Sequence, residues 1–505
     1  MASPHTSAHG AEPLYPRRWL ALAILLLAGF MNLIDVTIVN VALPRMQAGL
    51  GATSSQIEWV VAAYVLAFAL GLLPFGRLGD MVGRKRMFLI GVSTFTLMSG
   101  LCGLAPDMNS LVAARALQGL AGAMMMPQVM AIVQVIFPPQ ERGLAFSFFG
   151  LSAGLASVAG PLVAGLLIEV DLAGLDWRPI FLINLPIGMM TVLAGWMLIP
   201  DMKGDPDIRH DPVGMLIASA AVFLLIFPLI EARNYGWPGW AFAMLGTAFV
   251  AMAAFYLYER ARARAGKTQL LPVNLMTNGS YALGSVMSMT FFSGVAGFFL
   301  VLAVFLQTGF GFSPLESGLT TIPFPIGVLL ASFVSGKLRG RLERARIAGG
   351  AGALVVGMLI LAQVVAGIGD AVNHWHFVLP LLISGFGMGV AISSLFQTVL
   401  ANVPHADAGS GSGALQSFQQ IGSALGIAIT GEIFFSSLQH GFTNGNAPHA
   451  VFVSSLGSAL IYEIIAFALV AVMVLFLKVP PQAQASHGGG YKQQQPQRPP
   501  VPVEA

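Results

Sequence analysis

Long apolar runs alternate with short polar or Gly/Pro-rich breaks along almost the whole chain. A membrane-crossing helix needs about 20 predominantly apolar residues. The pattern predicts fourteen such helices, over 18–43, 56–75, 87–105, 109–136, 142–168, 179–200, 212–231, 239–258, 279–307, 317–337, 347–368, 375–402, 410–436 and 452–478. The first run is too long for a signal-peptide core, and no small-residue cleavage pattern follows it closely, so it reads as a retained anchor. Residues 1–17 are polar, and 479–505 form a Pro/Gln/Gly tail with too few apolar side chains to bury a core.

The breaks fix the orientation. Lys and Arg collect on the cytoplasmic side of membrane proteins. With the N-terminus inside, 21 of the 25 basic residues fall on inner segments, only Arg45, Arg178 and Arg233 on outer ones, and Arg115 inside a span. Adding or removing one helix would scramble this alternation. The expectation is an even number of spans with both termini cytoplasmic.

Composition excludes the main competitors. The chain of 505 residues is 56% hydrophobic and only 9% charged, against about 25% charged residues in soluble domains. A water-exposed surface cannot be built from so few charges. The net charge of +3 follows from the inner loops, so it reports topology and does not indicate nucleic acid. The single cysteine, Cys102, allows no internal disulfide, and the scattered histidines, His374 and His376 among them, show no metal-ligand spacing. Gly266-Lys267-Thr268 resembles the end of a phosphate-binding loop, but the required first glycine is replaced by Ala261. No cofactor and no metal is expected.

The spans divide as an N-terminal six-helix bundle (18–200), a linker with two inserted helices (201–278) and a C-terminal six-helix bundle (279–478), flanked by the tails 1–17 and 479–505. Paired bundles working about a midplane site are a recurrent transporter plan. The predicted fold class is an all-α membrane protein of fourteen helices.

Ionisable groups at membrane depth cost at least about 2.5–3.5 kcal/mol each and mark ion pathways or structural pairs. The deep ones are Asp35, Arg115, Glu432 and Glu463. Asp35 lies about eight residues, roughly 12 Å, below the outer end of the first span; Arg115 lies about six, roughly 9 Å, below that of the fourth. Opposite charges at one depth fit either a proton-exchanging carboxylate tuned by a cation or a fixed ion pair. Glu432 stands near the outer end of the thirteenth span, where it either binds a cation or reaches the headgroups. Glu463, deeper in the last span, reads as a structural partner. Glu58 and Glu316 stand at outer span mouths.

Four ordered stretches carry a family resemblance. Leu33–Pro44 holds Asp35, Thr37, Asn40 and Pro44. Gly76-Arg-Leu-Gly-Asp80-Met-Val-Gly83-Arg84-Lys85-Arg86 follows the second span, where glycines permit a tight turn and Asp80 can pair with the basic residues. Arg115-Ala-Leu-Gln118-Gly119-Leu-Ala-Gly122 puts Arg115 and Gln118 on one helix side. Gly154 and Gly160-Pro161-Leu-Val-Ala-Gly165 mark a close-packed, kinked fifth span. Together they resemble the fourteen-helix drug:proton antiporters of the major facilitator superfamily, over about 18–478. Trp177-Arg-Pro179-Ile-Phe-Leu-Ile-Asn184 and the Gly409–Gly422 stretch add to the likeness. Met81 stands where the family usually has Arg, which leaves Arg84, Lys85 and Arg86 as candidate partners of Asp80. Ala164 and Pro179 are further departures.

The resemblance implies proton-coupled export of amphipathic drugs or toxic small molecules by alternating access, powered by the proton gradient. It assigns proton coupling to Asp35 and Arg115, and gating to Gly76, Asp80, Gly83, Arg84 and Lys85. The antiporter motif is Gly154, Gly160, Pro161 and Gly165; the cavity candidates are Asn40, Gln118 and Glu432. A uniporter or importer of a metabolite on the same scaffold is the alternative, and a non-transporting membrane sensor or enzyme a second one. The expected partners are a small molecule, protons and the lipid bilayer, with the protein working as a monomer. The loop at about 437–451 offers little surface for a periplasmic adaptor.

Overall fold

The computed structural model describes residues 15–477 apart from 53, 172–173, 206–207, 338–342, 368–371 and 445–446. Among the described residues all regular structure is helical. The N-terminal bundle comprises α1 (Arg18–Leu50), α2 (Ser54–Val82), α3 (Arg84–Gly103), α4 (Met108–Ile136), α5 (Pro139–Val170) and a sixth span in two pieces, α6 (Pro179–Leu182) and α7 (Asn184–Leu198). The inserted pair is α8 (Pro212–Glu231) and α9 (Gly239–Arg264). After the short α10 (Val273–Met276), the C-terminal bundle comprises α11 (Gly279–Val304), α12 (Pro314–Thr321), α13 (Pro323–Lys337), α14 (Glu343–Gly367), α15 (Trp375–Leu400), α16 (Ala408–Thr443) and α17 (Pro448–Met473).

Thirteen of these helices are long and apolar enough to cross a bilayer. The tenth predicted span, 317–337, is divided between α12 and α13, because Pro323 has no amide hydrogen with which to continue the ladder. The outer surface matches a lipid solvent: Leu216 is 71%, Val250 68% and Trp196 66% exposed. Apolar surface on this scale is unfavourable in water. The chain is an integral membrane protein.

Local chemistry sets the helix ends. Asp107 and Ser110 form a reciprocal capping box at the start of α4, and Ser313 and Glu316 form another at α12. Glu316 is thus a cap, and its exposure fits the position predicted for it. Gly51, at φ 61°, ends α1 in the left-handed conformation that favours glycine. Because α1 runs through Pro44 to that point, Asp35 lies fifteen residues, about 22 Å, from its end. The membrane-spanning part of this helix is Arg18–Leu43, as predicted, and the helix continues beyond it.

The inserted pair is anchored at its basic end. Asp211 accepts the Gly214 N–H at 3.0 Å and the Tyr258 hydroxyl at 2.8 Å, and pairs with Arg262 at 3.0 Å. Buried Glu259 accepts the Leu270 N–H. Further along, Leu225, Ile226 and Ala248 pack with Leu66 and Ala69 of α2 and Ile421 of α16. The pair therefore leans on both bundles.

Candidate transport site

α1, α4 and α7 bring three separate stretches of sequence to one buried point. Asp35 and Arg115 have 0% and 1% of their surface exposed. Arg115 Nη1 donates to Asp35 Oδ2 at 2.5 Å and to Gln118 Oε1 at 2.8 Å. Gln118 Nε2 returns a hydrogen bond to Asp35 Oδ1 at 2.8 Å, and Asn184 Nδ2 donates to the same oxygen at 3.2 Å. The i, i+3 spacing places Arg115 and Gln118 on one side of α4, and both contact the Asp35 carboxylate.

A shell of neighbours fixes this cluster. Arg115 Nε donates to the Val60 carbonyl at 3.0 Å, and its guanidinium carbon stands 4.2 Å from the centre of the Tyr64 ring. Tyr64 is held by Asn32, and Asn184 also donates to Ser99 Oγ at 3.0 Å. The Cys102 thiol donates to Gln118 Oε1 at 3.5 Å. Sequence reasoning did not single out Asn184, Tyr64 or Ser99. Asn184 lay within a noted stretch, but no spacing rule links residue 184 to residue 35.

The gating stretch is mostly helix. Gly76 and Asp80 belong to α2, and only Gly83 turns the chain, at φ 106°. The expected tight turn is thus confined to Gly83, and the other glycines serve close packing. A Cβ on Gly76 would meet the Gly409 carbonyl, and one on Gly413 would meet that of Leu72. Asp80 is buried, and Arg84 is its ion partner at 2.8 Å. Lys85 instead reaches Asp201 at 2.8 Å, and that hydrogen bond holds the Asp201 carboxyl below its ordinary pKa. Asp80 also accepts the N–H groups of Gly409 and Ser410, each at 2.9 Å. These are free first-turn amides of α16, in the opposite bundle.

More contacts join the bundles at the same end. Arg77 pairs with Asp407 at 2.8 Å, and Arg84 Nη2 donates to the His405 carbonyl. Gln134 Nε2 donates to the Leu400 carbonyl at 2.6 Å, and Gln397 Nε2 to that of Pro139 at 3.1 Å. The basic end is closed in this conformation.

The fifth-span motif lies on two faces of α5. Gly160 abuts Thr37 of α1, whose hydroxyl donates to the Ala156 carbonyl at 3.1 Å. Gly154 faces Pro325 of α13, 3.0 Å from where its Cβ would stand, and Pro161 approaches Gly318 of α12. Gly165 is exposed, with nothing near its Cβ position.

The remaining candidates do not join the Asp35 cluster. Asn40 is exposed, and its amide donates to the Val36 carbonyl on its own helix. Glu432 is exposed and accepts the Trp237 indole N–H at 3.2 Å, beside the inserted pair. Both oxygens of fully buried Glu463 lack a hydrogen-bond partner among the described residues, so the expected structural partner is not observed. Its neighbour Tyr462 donates to Ser293 Oγ at 2.9 Å. Lys478, counted among the inner basic residues, lies outside the described residues.

Two six-helix bundles with an inserted pair, meeting at a glycine-packed seam, with an ion pair buried inside the N-terminal one, define a secondary-transporter architecture. The chain belongs to the Major Facilitator Superfamily, whose family model matches residues 25–427. It is 40% identical over 436 residues to the "Probable actinorhodin transporter" of Streptomyces coelicolor, covering 86% of this chain and 75% of that protein. It is 32% identical to the "Tetracenomycin C resistance and export protein" of Streptomyces glaucescens, covering 86% and 78%. It is 33% identical to the "Multidrug resistance protein Stp" of Mycobacterium tuberculosis, covering 80% and 73%. These relatives agree with the resemblance to drug:proton antiporters. Among solved structures, a proton:xylose symporter aligns at a TM-score of 0.64 and 13% identity, covering 92% of this chain and 96% of that one. The human organic anion transporter MFSD10 aligns at 0.63 and 15%, covering 91% and 100%. At these identities the likeness concerns the fold.

Proposed function

We propose that this protein exports amphipathic drugs or other toxic small molecules across the bacterial cytoplasmic membrane in exchange for protons, working as a single chain without a cofactor. The observation that carries the reading is the carboxylate of Asp35, buried and surrounded by Arg115, Gln118 and Asn184. The relatives named for export and resistance support the direction of transport.

In this scheme the charged carboxylate and Arg115 hold each other inside the N-terminal bundle. A proton arriving at Asp35 cancels the ion pair. Arg115 then keeps Gln118 Oε1 and the Val60 carbonyl as acceptors, so α1 can shift relative to α4 without stranding the guanidinium. The basic end, taken as cytoplasmic from the charge distribution, is closed here, so this conformation corresponds to the outward-directed half of the cycle. Inward rocking of the bundles requires Asp80 to leave the first turn of α16. One proton moved down 100 mV supplies about 2.3 kcal/mol, roughly a fiftyfold substrate gradient.

The test is efflux from vesicles reconstituted with the full chain, driven by an imposed pH step over a panel of amphipathic compounds. Asp35→Asn is expected to abolish the pH-driven component. Undiminished pH-driven efflux by that variant rejects the assignment. Efflux that survives collapse of the proton gradient favours a uniporter instead.

A further inference from the structure

The C-terminal bundle holds a carboxyl that the Asp35 scheme does not use. Glu463 lies fifteen residues, about 22 Å, from Pro448 at the start of α17 and ten residues, about 15 Å, from Met473 at its end. It is fully buried, and among the described residues neither carboxyl oxygen has a hydrogen-bond partner. Thr430 Oγ1 of α16 and Ser455 Oγ of α17 are buried and unpartnered in the same way.

These groups are placed in relation to one another. Gly441 of α16 abuts Val451 of α17, and the two helices run in opposite directions from there. Thr430 is eleven residues further toward the basic end and Glu463 twelve, about 17 and about 18 Å, so the two share one depth. Both flank α11. A Cβ on Gly297 would meet Thr430 Oγ1, while Phe467, one turn on from Glu463, packs on Gly294 and stands 5.7 Å from the Phe291 ring. Ser455, Ala459 and Glu463 follow at four-residue spacing on one side of α17. That line leads toward the end opposite the basic loops.

No cation from the packed helices balances this acid among the described residues. α11 contributes only Tyr281, whose hydroxyl donates to the Gly411 carbonyl. The ionisable residues of α14, Glu343, Arg344 and Arg346, all stand in its first turn, at the basic end. On α16, Glu432 is exposed and turned to Trp237, and His440 is exposed. α17 itself adds His449 in its first turn and Tyr462, whose hydroxyl donates to Ser293 Oγ. A carboxylate at this depth is costly without a counter-charge. The acid form avoids that cost but leaves its hydroxyl without an acceptor. Asp35, by contrast, has Arg115, Gln118 and Asn184. We propose that Glu463 is a second proton-carrying carboxyl, loaded from the end opposite the basic loops along the Ser455 side of α17, so that each export cycle exchanges two protons. Loading forms an O–H bond on the carboxylate; release breaks that bond and gives the proton up at the basic end, and nothing is oxidised or reduced. The proposal rests on the exchange reading, and its test keeps the two apart.

Infrared spectra of the full chain in phosphatidylglycerol nanodiscs read the proton without any substrate. Glu463→Gln is expected to remove a carbonyl band of a protonated carboxyl that the unaltered protein shows at neutral pH. Glu463→Asp keeps the acid and should shift that band, which provides the test if the glutamine variant does not fold. In vesicles whose membrane potential is clamped with potassium and valinomycin, the ethidium gradient at which net flux stops is measured against the imposed pH step. One proton sustains about a tenfold gradient per pH unit and two protons about a hundredfold. The limiting gradient per unit should therefore fall from about a hundredfold to about tenfold in Glu463→Gln, whereas Asp35→Asn loses the pH-driven component altogether. The proposal is overturned if the band is unchanged in both Glu463 variants, if the unaltered chain sustains only about tenfold per unit, or if Glu463→Gln sustains the same gradient as the unaltered chain. Undiminished pH-driven efflux by Asp35→Asn, beside a reduced gradient in Glu463→Gln, would reject the role of Asp35 and leave that of Glu463 standing.

Discussion

The carboxylate of Asp80, at the end of α2, accepts the backbone N–H of Ser410 at 2.9 Å across the seam between the two bundles. Gly409 supplies a second such bond at 2.9 Å, and Arg84 covers the carboxylate from its own bundle. An acid in one half thus caps the first turn of a helix in the other, where the helix dipole favours negative charge. Opening this end breaks both bonds together.

Asp80→Asn keeps the shape and removes the charge. Hydrogen bonds to charged groups contribute about 1.5–3 kcal/mol each, and 1.4 kcal/mol is a tenfold change in an equilibrium. The variant should shift the open and closed populations of the basic end by at least about tenfold toward open while remaining folded. Spin-label distances between the basic-end residues of α2 and α16 measure this; an unchanged distribution would mean that the capping bonds do not hold the end closed.

Arg115→Ala leaves the Asp35 carboxylate buried opposite an empty space. Breaking a buried pair from one side costs about 3–5 kcal/mol. Replacing both members, as in Asp35→Asn with Arg115→Ala, should recover part of that loss. Thermal unfolding of the two single variants and the double variant in detergent gives the coupling energy. A double variant as unstable as Arg115→Ala would show that the arginine acts mainly through Val60 and Tyr64.

The fifth-span motif divides by packing. Gly160→Ala drives a methyl into Thr37 of α1, and overpacking of this kind costs about 1–3 kcal/mol. Gly165→Ala has open space around it and should fall within about 0.5 kcal/mol of the unaltered protein. Unfolding midpoints and efflux rates of the pair decide this, and equal effects at both positions would contradict the packing account.

Glu463→Gln keeps nearly the same volume and removes an ionisable group that has no described hydrogen-bond partner. Stability should hold or rise, because a charge at membrane depth is costly. Glu463→Lys, which cannot become neutral as easily, should prevent accumulation of folded protein. A large loss of stability in the glutamine variant would reveal a partner that forms in another conformation.

Hydropathy alone placed the helices, because lipid imposes one rule on every residue of a span. The predicted 212–231 coincides with α8, and the other runs differ from the observed helices mainly at their ends. The first span, 18–43, was found as predicted although its helix continues to Leu50, whereas the span at 317–337 broke before Pro323. Asp35, Arg115 and Gln118 were legible because deep charge is rare and the helix repeat is fixed. The Asp80 stretch was legible as a motif, but its tight turn is confined to Gly83 while Gly76 and Asp80 extend α2.

The chain's order of residues determined that this protein lives in a bilayer and where nearly all of its long helices lie, since each follows from local composition and helical periodicity. Only the tertiary structure decided which polar groups meet. Asn184 reaches Asp35 and Asp80 finds the first turn of α16 because helices far apart in sequence pack side by side. The physical reason is that contacts between helices depend on small residues and side-chain shape at the seams, which carry no periodic signal that a single sequence reveals.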